Sequence, residues 1–129
     1  MERNSKILLI DDDKDLCHLT KMALTKHGYE VVTAQDAATG VKYAQDNRPN
    51  LILMDVLLPG ASGAEAVGLL RKNPQLKNIP IVFLTALMTG EEKNIQDEGL
   101  NIQGLNYPAL GKPYDIEDLL DVVRKYAKP

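Results

Sequence analysis

The stretch from Leu51 to Asp55, LILMD, runs four apolar residues without a break into one carboxylate, and it constrains the chain more than any other. Pro59, Gly60, Ser62 and Gly63, all turn formers, come shortly after it. A short continuous apolar run bounded by turn signals fits a strand buried on both faces, as in a parallel sheet. The strand must stop where Asp55 appears, because an ionised carboxylate is costly to bury unpaired. Asp55 is therefore expected at the carboxyl end of a central strand, the edge at which open α/β sheets bind ligands.

Other stretches repeat the pattern. Lys6 to Ile10 is apolar and ends abruptly in Asp11, Asp12 and Asp13; Ile79 to Leu84 ends at Thr85. Glu30 to Ala34 reads as a further strand, and a short last one is expected near Tyr107 to Gly111, followed by Lys112 and Pro113. Helical patterns lie between them. Leu16, Leu19, Thr20, Ala23 and His27 share one face at helical spacing, with Asp13 as N-cap and Gly28 as C′ residue. Asp36 caps a helix with a small-residue stripe of Ala37, Gly40, Val41 and Ala44; Gly63 to Lys72 turns Ala66, Leu69 and Leu70 inward; Asp115 caps a helix carrying Ile116, Leu119, Leu120, Val123 and Ala127 on one face. Between Ala86 and Gly111 no apolar stripe persists, and Glu91 to Glu98 reads as one or two helical turns at most. Strands alternating with helices about five times predict a parallel sheet with helices on both faces, joined by right-handed crossovers.

The length of 129 residues fits one domain, 1–129, and the net charge of −3 with no dense basic run argues against a nucleic-acid surface. No apolar run approaches the roughly 20 residues of a membrane span. The N-terminal residues carry no secretory apolar region, and the single Cys17 has no partner within the chain, so a cytoplasmic location is expected.

In a parallel sheet the ends carrying Asp11 and Asp12, Asp55, Thr85 and Lys112 all face one rim. Two carboxylates about 5 Å apart repel by roughly 3 kcal/mol at an effective dielectric near 20. Three are a liability unless a cation sits among them, and an all-oxygen shell from few side chains suits Mg²⁺. Three carboxylates, the Lys112 ammonium and one divalent ion sum to neutrality. Such a site is suited to a phosphoryl group, with one carboxylate as nucleophile, the cation and Lys112 neutralising charge, and Thr85 donating a hydrogen bond.

The stretches Ile7 to Asp13, Asn50 to Gly63, Pro80 to Ala86 and Lys112 to Asp115, taken in this order, resemble the receiver domain of two-component response regulators. Any one of these motifs is weak, but the four at this spacing are highly specific. The resemblance implies a (βα)₅ flavodoxin-like, CheY-like doubly wound sheet of strand order 2-1-3-4-5. It implies Asp55 as the residue phosphorylated by a histidine kinase or a histidine phosphotransfer protein. Asp12 and Asp55 would ligate Mg²⁺ directly, Asp11 through water, and the backbone carbonyl of Leu57 would complete the protein ligands. Thr85 and Lys112 would bind the phosphoryl group, and the Lys112–Pro113 peptide would be cis.

The chain departs from that family in two ways. The aromatic that relatives carry three residues before the lysine, and that swings with the threonine on phosphorylation, is Ala109 here, and Tyr107 lies two residues too early. The span from position 85 to position 112, 27 residues, is long for the family and lacks a convincing fourth helix. The expectation is a remodelled 86–111 segment that passes the signal by another route. In that family the positions two residues after the phosphoacceptor and the threonine tune how water reaches the acyl phosphate; Leu57 and Leu87 stand there, both apolar, so the resemblance implies slow self-dephosphorylation.

Competing readings fare worse. An acidic cluster favoured by a helix dipole accounts for Asp13 but not for three aspartates after a buried strand. A calcium loop lacks its glycine, since Leu16 stands there. A flavin protein of this topology needs a hydroxyl- and glycine-rich phosphate loop after the first strand, where Asp11 to Asp13 would repel phosphate. An aspartyl phosphatase would need a cap or substrate pocket that so short a chain does not show. A pseudo-receiver serving only as a docking scaffold is the main alternative.

Overall fold

The computed structural model describes residues 5–58, 61–86, 96–102 and 104–128; at residues 57, 61–63 and 96–100 it describes the backbone only. The elements are β1 (Lys6–Ile10), α1 (Lys14–Lys26), β2 (Glu30–Ala34), α2 (Ala37–Asn47), β3 (Leu51–Asp55), β4 (Leu57–Leu58), β5 (Ala61–Ser62), α3 (Gly63–Lys72), β6 (Ile81–Thr85), β7 (Gln96–Ile102), β8 (Leu105–Gly111) and α4 (Ile116–Tyr126).

The main sheet runs β2-β1-β3-β6-β8-β7. Its first five strands are parallel and reproduce the expected 2-1-3-4-5 order, with β6 and β8 as the fourth and fifth. All five residues of β3 and of β6 are buried, as continuous apolar runs require of central parallel strands. Period-two alternation then splits the core. Leu8, Ile10, Ile52, Met54, Ile81 and Phe83 pack with α2 and α3, while Ile7, Leu9, Leu51, Leu53, Val82 and Leu84 pack beneath α1 and α4. The molecule is thus a three-layer α/β fold.

The segment after β6 departs from the (βα)₅ plan that the resemblance implies, as the lack of an apolar stripe there predicts, but as strand where helical turns were expected. Among the described residues no fourth crossover helix stands between β6 and β8. Gln96–Ile102 instead forms β7, antiparallel to β8, with a register shift between Gln96 and Leu100. The helical turns read over 91–98 are therefore strand where described, at 96–98; 91–95 lie outside the described residues. The two strands join through Gly104, whose φ of +85° is a conformation glycine adopts without strain.

The helix faces also carry corrections. In α1 the buried residues are Cys17, Thr20 and Leu24, while Leu19 is 63% exposed and His27 is an exposed C-cap. In α3 Val67 rather than Leu69 lies inward, and in α4 Ile116 is largely exposed while Val122 is buried. The caps stand as expected: Asp13, Asp36 and Asp115 accept from the backbone N–H of Leu16, Thr39 and Asp118. The α2 stripe is buried throughout.

Candidate phosphoryl-transfer site

β1, β3, β6 and β8 end side by side, so Asp11, Asp55, Thr85 and Lys112 arrive at one rim of the sheet. Each end is pinned by one hydrogen bond just beyond or at the ladder's edge. The Asp11 N–H donates to Ala34 O at 2.9 Å, Val56 N–H to Leu84 O at 3.1 Å and Lys112 N–H to Thr85 O at 2.9 Å. Alternation puts Asp11 and Asp55 on the α1/α4 face, in line with Leu9 and Leu53, whereas Thr85 falls on the α2/α3 face, in line with Phe83.

The three consecutive aspartates divide their work. Asp11 is fully buried, and its Oδ1 accepts the Asp13 N–H at 3.0 Å. Asp12 is exposed at the rim, and Asp13 turns away to cap α1. One carboxylate oxygen from each of Asp11, Asp12 and Asp55 lies within 4.8 Å of the others. The Lys112 Nζ sits 2.6 Å from Asp11 Oδ2 and 3.1 Å from Asp55 Oδ2. Toward Asp55 it donates a hydrogen bond. Asp11 Oδ2, though close, receives no well-aligned hydrogen bond and is paired by charge alone. Burial of the ammonium opposes its charged form, yet Asp11 and then Asp55 outweigh this and raise the Lys112 pKa above the ordinary lysine value.

Three carboxylates against one ammonium leave the rim two negative charges in excess, and one buried oxygen lacks an aligned donor. The donor set is all oxygen, so the residues fit a hard divalent cation such as Mg²⁺. Thr85 is buried, opposite Gly111 in the β6–β8 register, adjoining Lys112. The Lys112–Pro113 peptide is cis. The Leu57 backbone lies in a two-residue strand paired with β5; its side chain and Leu87 are outside what is described.

Two supporting contacts were not legible in sequence. Cys17 donates its thiol to the Asp11 backbone carbonyl at 3.3 Å; burial first, then Asp11, raises its pKa. Its position one turn after the N-cap Asp13 was the available signal. The Tyr114 hydroxyl meets Thr20 Oγ1 at 2.8 Å, tying the segment after Lys112 to α1. A contact between residues 94 apart leaves no local signal.

Residues 7–124 match the family model of the response regulator receiver domain. Over 114 residues, 88% of the chain, the sequence is 36% identical to the uncharacterized transcriptional regulatory protein YrkP of Bacillus subtilis, and the match covers 46% of that protein. The chain thus spans about half the length of YrkP. To Protein PilH of Pseudomonas aeruginosa it is 30% identical over 119 residues, covering 92% of this chain and 94% of PilH. The receiver domain of the sensor histidine kinase PA1611 from Pseudomonas aeruginosa, solved with a magnesium ion coordinated in its active site cleft, superposes with a TM-score of 0.81 at 26% identity over 97% of this chain and 98% of that one.

Proposed function

Because this chain belongs to the response regulator receiver family, we propose that it accepts a phosphoryl group on Asp55 from a histidine kinase or histidine phosphotransfer protein and changes its protein-binding surface in response. One observation carries this: the carboxylates of Asp11, Asp12 and Asp55 converge within 4.8 Å while Lys112 bridges Asp11 and Asp55. An Asp55 carboxylate oxygen bonds to phosphorus as the bond from phosphorus to the donor's imidazole nitrogen breaks. Lys112, held charged by its carboxylate neighbours, neutralises a phosphoryl oxygen, and Thr85 donates its hydroxyl to another. Asp12, Asp55 and the Leu57 carbonyl would hold Mg²⁺, with Asp11 acting through water. When bound, the ion offsets the charge shared by the carboxylates and the incoming phosphoryl group.

The test is incubation of the full chain with acetyl phosphate and Mg²⁺, read by intact mass. The expected outcome is a gain of one phosphoryl group that is absent in Asp55→Asn and in Mg²⁺-free buffer. No gain with either acetyl phosphate or a phosphorylated histidine donor would sink the proposal. It would favour a docking scaffold without phosphorylation, the reading to which Ala109 and the β7–β8 hairpin lend some support.

A further inference from the structure

The ring that relatives place three residues before the lysine is missing, but the sheet face beneath it is not empty. Phe83, fully buried, stands opposite Ala109 in the β6–β8 register. Tyr107, on the same face as Ala109 and 5% exposed, meets the Phe83 ring edge-on, with centroids 5.6 Å apart and planes at 89°. The Tyr107 hydroxyl accepts from Arg71 Nε at 3.2 Å, and the guanidinium carbon lies 5.5 Å from the ring centre.

Arg71 does not end there. Its Nη1 donates to the carbonyls of Lys77 at 2.7 Å, Ile79 at 3.2 Å and Leu76 at 3.4 Å. These carbonyls belong to the connection between α3 and β6, where Lys77 is exposed and Leu76 is buried as an anchor. A planar, permanently charged fork is suited to holding several acceptors and an aromatic ring at once. The contacts therefore run from Phe83, two residues before the end of β6, through Tyr107 and Arg71 to the backbone at 76–79.

We infer that Phe83, Tyr107 and Arg71 carry a displacement of Thr85 to the α3–β6 connection, making residues 73–80 the surface that changes on activation. The inference rests on Asp55 being the phosphoryl acceptor. Thr85 shares a sheet face with Phe83, whereas Asp55 lies on the other face, so a Thr85 hydroxyl bonded to a phosphoryl group on Asp55 must turn across the end of β6. Phe83, two residues back and packed on all sides, shifts with it. Close-packed contacts move between discrete arrangements rather than deforming smoothly.

Amide hydrogen exchange on the full chain, with and without acetyl phosphate and Mg²⁺, tests this. The amides of Leu76, Lys77 and Ile79 are hydrogen-bonded within the connection, so they report on it. Phosphorylation is expected to change exchange over 73–80 several-fold. In Tyr107→Phe, which keeps the ring on Phe83 but loses the bond to Arg71, the phosphoryl mass gain persists and the change over 73–80 disappears. Arg71→Lys, which keeps the charge but cannot span the phenol and the carbonyls, gives the same result. A phosphorylated chain with no change over 73–80, or a change that survives both substitutions, overturns the inference and leaves the phosphoacceptor proposal standing. Absence of the mass gain in the unsubstituted chain overturns both.

Discussion

Lys112 is the one cation reaching both Asp11 and Asp55 among the described residues, and its removal exposes what it balances. Asp11 would then be a fully buried carboxylate without a charge partner. Lys112→Met is expected to cost roughly 3 kcal/mol in Mg²⁺-free urea unfolding, with part recovered when Mg²⁺ is added. Tyr114 gives a pH signature of its own. Burial, only partly offset by the hydrogen bond with Thr20, raises its phenol above the ordinary tyrosine range. A raised folded pKa means a contribution fully present below about pH 10 and lost as pH climbs from there through the folded value. The urea midpoint is expected to fall as pH climbs above about 10, and to fall less steeply in Tyr114→Phe.

Among elements, α2 turns a stripe of small residues toward the sheet, and at Gly40 the approach is close. A Cβ at Gly40 would overlap the Ile10 Cδ1 and come within 2.8 Å of its Cγ1. Gly40→Ala is therefore expected to destabilise by roughly 1–3 kcal/mol despite the better helix propensity of alanine, a sign that urea unfolding would check. The sequence made β1, β3 and β6 legible because burial on both faces demands unbroken apolar runs, and each of these runs ends in a polar residue, which placed Asp11, Asp55 and Thr85. Lys112 follows the mixed strand β8 and owed its place to the resemblance and to the order of the strands. Helix phase was harder. In α1 the expected stripe of Leu16, Leu19, Thr20, Ala23 and His27 shares only Thr20 with the buried set of Cys17, Thr20 and Leu24, so periodicity gave the helix but not its exact phase. The β7–β8 hairpin escaped because Gln96 to Ile102 mixes charged and amide residues around Gly99, without alternation. Only Gly104 marked the turn.

For the whole molecule, a cation held at the rim would couple its binding to folding, since the unfolded chain gathers no such cluster. At a free Mg²⁺ concentration of about a hundred times Kd, stabilisation is about 2.7 kcal/mol. Thermal unfolding at neutral pH is expected to show a Tm higher by several degrees with Mg²⁺ than with EDTA, and Asp12→Ala to erase the difference. Within the described residues no helix is long and apolar enough to cross a membrane.

The hairpin that flanks β8 has a consequence for anyone who would transplant the signalling logic of relatives into this chain. Ala109 is wholly enclosed, with Phe83 in register on one side and Gln96 on the other. Ala109→Tyr would supply the ring that kin possess, yet it has nowhere to rotate, and a loss of roughly 1–3 kcal/mol in urea unfolding is expected rather than a restored switch. An effector shaped to grip a ring at that position would find no lever at Ala109.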